Sequence, residues 1–243
     1  HCLLSRGLGD VYKRQGGKAI IGAALDAFGR IDVLIHSAGN VRRGSLCELS
    51  YADFTSVLDV HLKGAYHVVR EAFPLMMAQG YGRIVLTSSI NGLYGKSDNV
   101  TYAMCKAGFM GLSNTAAIEG QHANVKSNLI VPAAVTRMSE GIDTSQFPPM
   151  EPEQVAPMVG YLCHESCMAS GEMFVAMGGR LARARVTENA GAFRKDWSLE
   201  QVAQQIVTIR EGGDTLAFPP VPDGQLEHLL YGFGMIRRET AAL

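Results

Sequence analysis

The chain carries almost no net charge: 22 lysines and arginines stand against 23 aspartates and glutamates, leaving −1 over 243 residues. A chain without a basic field does not attract a polyanion, and no block of like charge or low-complexity tract appears, so nucleic acid is not an expected partner. No apolar run approaches the length of a membrane span, and no membrane partner is expected. Cysteine is sparse. Cys2, Cys47, Cys105, Cys163 and Cys167 are odd in number and scattered, which argues against a disulfide framework and for a reducing, cytoplasmic location. Cys163 and Cys167 share a helix face if the segment is helical, but no second ligand pair accompanies them, so they are expected to pack and no metal site is expected.

What is present suits one α/β domain: 47% of the residues are hydrophobic, enough for a sizeable core. "GKAIIGAALDAF" (17–28) has helical apolar spacing and stops at Gly29, and "IDVLIHSAG" is a short buried strand. A long helical stretch begins after Ser50, a cap with Asp53 three residues on, and leads to the strand "GRIVLTSS". Helix "TYAMCKAGFMGLSNTAAIEGQ" precedes strand "VKSNLIVP", and helix "EQVAPMVGYLCHE" precedes "GEMFVAM". This alternation, with near-continuous apolar strands, predicts a parallel sheet covered on both faces. From Arg180 the pattern weakens into a tail with one helix capped at Ser198 and a final apolar segment. The expected domains are a non-native leader over 1–15, a partial catalytic domain over 16–180 and a carboxyl-terminal tail over 181–243.

The opening "SRGLGDVYKRQGG" invites comparison with a dinucleotide-binding glycine loop. Such a loop needs a strand before it, a helix opening on it and an acidic residue about 20 positions on. None of these is present. Ser5 to Gln15 correspond residue by residue to an in-frame translation of a transposon-type sequencing adapter, so the segment is expected to be foreign to the fold.

Ser89 follows a strand, and Tyr102 and Lys106 lie four residues apart on the next helix. That set suits reduction of a carbonyl or oxidation of an alcohol. Hydride moves at carbon while oxygen gains or loses a proton, and a phenol can serve near neutral pH if its pKa, about 10, is lowered. An ammonium one turn away is expected to lower it. Ser89 is placed to orient the substrate oxygen.

In this order "HSAG", "DVHLKG", "VLTSS", "YAMCK" and "VPAAVT" resemble the short-chain dehydrogenase/reductase family over roughly 17–180, and the stretch from "YGRIVLTSSINGLYG" to "GEMFVAMGGRLARARVTENAGA" is similar to its (3R)-hydroxyacyl-CoA dehydrogenase branch. The resemblance implies a Rossmann-like doubly wound parallel sheet, here missing its first three strands, and hydride transfer between NAD or NADP and a secondary alcohol or ketone. The implied substrate is a small-molecule acyl thioester, a 3-hydroxyacyl-CoA. It implies Tyr102 as acid/base, Lys106 as its tuner and ribose ligand, Ser89 as orienter and His61, where the family usually has asparagine, as a proton relay. It implies cofactor contacts from Ser37, Ala38, Gly39, Tyr102, Lys106, Pro132, Val135 and Thr136, with backbone near Val135 meeting the nicotinamide carboxamide. Ser37 replaces the family's usual asparagine, and Ala133 its usual glycine. A homodimer or homotetramer of the full-length protein is also implied. Two alternatives stay open: another short-chain carbonyl reductase or steroid-type alcohol dehydrogenase, and a truncated non-catalytic interaction module.

Overall fold

The computed structural model describes residues 13–139, 143, 145 and 147–241, with no side-chain description for 239–241. Gly7, Gly9 and most of the 1–15 leader lie outside the described residues, as does part of the 139–152 loop. The chain divides into two compact units, His1–Ala184 and Arg185–Leu243.

In the first unit, helix α1 (Arg14–Phe28) places Gly17, Ile21, Ala24 and Leu25 along one side and ends at Gly29, whose φ of 72° is left-handed and whose N–H caps Leu25. It begins three residues before the predicted start, taking in Arg14 and Gln15, because those strong helix formers offer nothing to stop it. Strands β1 (Val33–His36), β2 (Gly82–Thr87), β3 (Val125–Ala133) and β4 (Met173–Met177) are parallel neighbours in that order. Beyond β4 the structure corrects the sequence-based picture. Arg180–Ala184, expected to open the carboxyl-terminal tail, is strand β5, antiparallel to β4. Gly178 and Gly179, at φ 52° and 81°, supply the two left-handed residues of a tight hairpin turn. The five-stranded sheet is thus mostly parallel.

Helix α2 (Tyr51–Leu58) is capped as expected by Ser50, whose side chain accepts from Asp53 N at 3.0 Å. The long helix then runs through one π turn, Asp59–Lys63, before α3 (Gly64–Gln79). Helices α4 (Ile90–Tyr94) and α5 (Val100–Glu119) follow β2, and α6 (Ala156–Cys163) precedes β4. Along β2, alternation sends Ile84 and Leu86 into a core with Ile21, Val68 and Phe109, and Val85 into a second core with Ile130, Leu162 and Cys167. Both faces of β2 and β3 are therefore covered, which is why these strands read as continuous apolar runs; β1, expected to be buried, instead leaves Val33 and Ile35 exposed on one face.

The second unit holds a short ladder, β6 (Glu188–Asn189) with β7 (Thr215–Leu216), and helices α7 (Leu199–Glu211) and α8 (Gly224–Ala241).

Candidate active site at the carboxyl ends of the strands

The carboxyl ends of β1, β2 and β3 open into a cavity of about 770 Å³, the position where open α/β sheets bind ligands. β2 delivers Ser88 and Ser89 to its floor. Ser88 Oγ donates to the Lys106 carbonyl at 2.8 Å, pinning α5 to the strand end. Ser89 caps α4 by accepting from Asn91 N at 3.2 Å. Gly92 of α4 permits the close approach to α5, since a Cβ there would stand 2.7 Å from the Lys106 backbone.

Tyr102 and Lys106 share one face of α5. Lys106 is 3% exposed and its Nζ donates to the Thr87 carbonyl at 2.6 Å, lying 5.4 Å from the Tyr102 ring centre. Burial pushes the Lys106 ammonium down from the usual lysine value to about 8. Tyr102 is half-buried; burial raises its phenol pKa, and the Ser89 hydroxyl acts the other way. Where a neighbouring ammonium was expected to lower the phenol, burial is the larger influence in this arrangement, with the Lys106 ammonium donating to the Thr87 carbonyl.

His61 projects from the π turn, fully buried, and sets its edge against the Tyr102 ring at 5.3 Å between centres. Its Nε2 lies 3.0 Å from Asn40 N and 2.8 Å from Asn40 O, so it accepts from one or donates to the other according to tautomer. Its Nδ1 has no partner among the described residues. Burial, and next the Lys106 charge, lower His61 to about 4, which keeps it neutral at physiological pH. Gly39 is required by this ring: a Cβ would fall 2.5 Å from His61 Cε1.

Ser37, Gly39, His61, Ser89, Tyr102 and Lys106 line the cavity, as do Pro132 and Thr136. Ala38 and Val135 are not on its wall. Val135 N donates to the Met150 carbonyl at 2.8 Å, so that N–H is already used. Gly16 and Gly17 lie inside α1, and a Cβ on Gly17 would meet the His67 backbone at 2.9 Å; they serve helix packing, not a phosphate. Cys167 is buried in the second core and Cys163 packs beside it.

Sequence reasoning missed His36. It alternates inward from β1, 6% exposed, edge-on to Phe109 at 5.7 Å, with neither ring nitrogen bonded among the described residues. Burial, then the charges of Lys106 and His61, lower it to about 4. The period of two along "VLIH" was the available signal. Arg43, Lys96 and Asn99 also reach the cavity wall from loops, where no periodicity announces them.

Among the described residues no helix is long and apolar enough to cross a membrane. A family model described as short chain dehydrogenase matches residues 7–146, starting inside the leader expected to be foreign. Peroxisomal multifunctional enzyme type 2 of Drosophila melanogaster is 44% identical over 177 residues, which are 72% of this chain and 30% of that protein. Its full-length structure superposes with a TM-score of 0.74 at 34% identity, covering 91% of this chain and 40% of that one. A short-chain type dehydrogenase/reductase of Mycobacterium tuberculosis is 38% identical over 207 residues, 83% of this chain and 71% of that protein. Acetoacetyl-CoA reductase of an Acinetobacter strain is 34% identical over 184 residues, 71% of this chain and 74% of that protein. The chain thus spans less than a third of the Drosophila multifunctional relative.

Proposed function

The chain belongs to the short-chain dehydrogenase family of oxidoreductases, and on that premise we propose that it transfers hydride between NAD or NADP and a 3-hydroxyacyl-CoA or its 3-oxo counterpart. The observation that carries the reading is the gathering of Ser89, Tyr102 and buried Lys106 on the wall of one cavity. Similarity to an acetoacetyl-CoA reductase and to multifunctional enzyme type 2 supports the thioester.

When bound, the nicotinamide supplies or receives the hydride at the substrate carbon. The donor set fits its ribose end: the Lys106 ammonium and the hydroxyls of Tyr102, Ser37 and Thr136 all belong to the cavity wall. No glycine loop for a pyrophosphate occurs among the described residues, since Gly16 and Gly17 are helix-packing residues. Ser89 holds the substrate oxygen against the Tyr102 hydroxyl. Burial keeps that phenol protonated, the form that donates to the oxygen during reduction. In the oxidative direction the alcohol proton passes back to the phenolate, and Lys106, freed from Thr87, stabilises that charge. His61 holds Asn40 and braces Tyr102 from its edge. Its neutral ring suits a proton relay only through the unpartnered Nδ1.

Exposed Tyr66 on α3 and Met104 and Ile118 on α5 support a homodimer or homotetramer built on these helices. The free thiols Cys47, Cys105, Cys163 and Cys167 support a reducing compartment such as the cytoplasm.

The test is spectrophotometric turnover of 3-hydroxybutyryl-CoA with NAD and with NADP. Tyr102→Phe is expected to lower turnover at least ~10²-fold with cofactor affinity nearly intact. Near-wild-type turnover in that variant overturns the assignment.

A further inference from the structure

Tyr102, Lys106 and Phe109 recur along α5 at helical spacing, which puts all three on one face. The Lys106 Nζ lies 5.4 Å from the Tyr102 ring centre and 4.9 Å from the Phe109 ring centre, so one ammonium is shared by two rings. Each ring is met at nearly a right angle by a histidine: His61 on Tyr102 at 5.3 Å, and His36 on Phe109 at 5.7 Å. The Tyr102 side of this arrangement opens on the cavity. The Phe109 side lies in the core, with Phe109 0% and His36 6% exposed.

A buried ammonium needs partners, because an isolated ion in the interior is strongly disfavoured. Lys106 is buried, and no carboxylate pairs with it among the described residues. The titratable groups facing it are Tyr102, Cys105, His36 and His61. None supplies an anion at neutral pH: burial raises the Tyr102 phenol and takes the Cys105 thiol up to about 11, while both histidines, lowered to about 4, are neutral. What remains for Nζ is the Thr87 carbonyl and the two rings. A ring within about 6 Å attracts a cation through its quadrupole, most strongly where water is excluded. His36 adds an independent observation. Neither of its ring nitrogens has a partner among the described residues, a cost that an aliphatic residue would avoid, and its ring contact is Phe109.

We propose that Phe109 is a positioning residue for the Lys106 ammonium, and that His36 acts through Phe109 by fixing the angle of its ring. This rests on the dehydrogenase reading, in which Lys106 leaves Thr87 to support the Tyr102 phenolate. That exchange moves Nζ from one oxygen to another inside a dry site. A hydrogen bond weakens steeply with angle, whereas the pull of a ring face on a cation is broad, so the ammonium can change acceptors without losing Phe109.

Stepwise fluorination tests the brace, with mono-, di- and trifluorinated phenylalanine placed at position 109 of the whole chain. Fluorine drains negative charge from the ring face and leaves the ring shape nearly the same, so a residue that only packs would not respond in steps. The Lys106 pKa is read by nuclear magnetic resonance from the Cε signal of lysine-labelled protein, identified by its absence in Lys106→Arg. It is expected to fall with each fluorine, by at least about 0.5 pH unit in all. The ammonium is lost as pH rises through that value, so the alkaline loss of turnover should move down by the same amount. A Lys106 titration indifferent to fluorine overturns the brace. In His36→Leu the response to fluorine should be weaker, because a ring freed from its histidine no longer keeps its face on the ammonium; an undiminished response shows that His36 has no part in it. The lysine signal does not depend on turnover, which separates the two ideas. A graded shift without hydride transfer from any 3-hydroxyacyl thioester supports the brace and overturns the dehydrogenase reading. Hydride transfer with an unmoved lysine overturns the brace alone.

Discussion

Helices α5 and α7 invert what their sequences advertise. α7 has a full capping box, with Ser198 and Gln201 each accepting the other's backbone N–H, and an amphipathic pattern, yet it buries no residue. α5 has no side-chain cap and is apolar on most sides, yet it buries Cys105, Lys106 and Phe109 and carries the reactive face. A capping box specifies that a helix exists and where it starts; burial decides how much depends on it. α5 starts at Asn99 with no side-chain cap and is held by burial all the same.

The sharpest way to break this comparison is to empty the core under α5. Phe109 is 0% exposed and packs edge-on against His36. Phe109→Ala should destabilise the first unit by about 3–5 kcal/mol, read as a lower urea midpoint in far-ultraviolet circular dichroism. A change under about 1 kcal/mol would mean that the site-bearing helix is no better anchored than α7.

Acid should reveal the same asymmetry. His36 and His61 both fall from 6.5 to about 4 in the folded chain. Between those values the unfolded chain binds protons that the folded chain refuses. Stability is therefore complete above 6.5, declines as pH falls toward 4, and each histidine adds a slope of up to about 1.4 kcal/mol per pH unit. His36→Asn should flatten the decline. The only tryptophan, Trp197, lies in the second unit, whose described histidine, His228, has a side chain 50% exposed. Its fluorescence should follow that decline only weakly; an equally steep acid transition in both signals would show that the units unfold as one.

The sequence disclosed β2 and β3 because strands covered on both faces have unbroken apolar runs, and β1 and β4 because each is a short apolar run, although β1 leaves Val33 and Ile35 exposed. It disclosed Ser89, Tyr102 and Lys106 because strand end and helical turn are local spacings. It concealed β5, whose Arg180 and Arg183 look like tail residues until the Gly178–Gly179 turn is given its weight. It also concealed whatever depends on a partner distant in sequence. Burial of Tyr102, which no local spacing announces, raises the phenol that a neighbouring ammonium was expected to lower. Arg43 and Lys96 come to one cavity from loops joined by the Gly44–Asn99 bridge. Ala38 and Val135 sit in matched motifs and still miss the cavity wall, since a motif fixes a segment and not the direction of each residue in it.

A smaller change tests how the site is braced. Gly39→Ala puts a Cβ 2.5 Å from His61 Cε1, and that ring is fully buried, so it cannot yield freely. The variant should lose about 1–3 kcal/mol of stability and also lower kcat, because the displaced ring bears on Tyr102. His61→Asn, a smaller side chain, should restore stability to Gly39→Ala. A double variant no more stable than the single one would place the strain elsewhere.

The smallest effect should come from the helix with the clearest signature. In α7, Ser198 Oγ accepts from Gln201 N at 3.2 Å and Gln201 Oε1 accepts from Ser198 N at 2.9 Å. Ser198→Ala removes the first of these and typically costs about 1 kcal/mol. A helix of 13 residues that buries none of them has little else to hold its first turn. The loss should therefore be local, about a 5-fold rise in hydrogen exchange across the first turn of α7. Trp197 precedes the cap and has Arg194 over its ring at 5.7 Å, so its emission should shift with the fraying. The urea midpoint of the first unit should stay where it is, since no residue of α7 belongs to either of its cores. A midpoint lowered as far as by Phe109→Ala would show that α7, despite its exposed surface, is held by the same cooperative unit as α5.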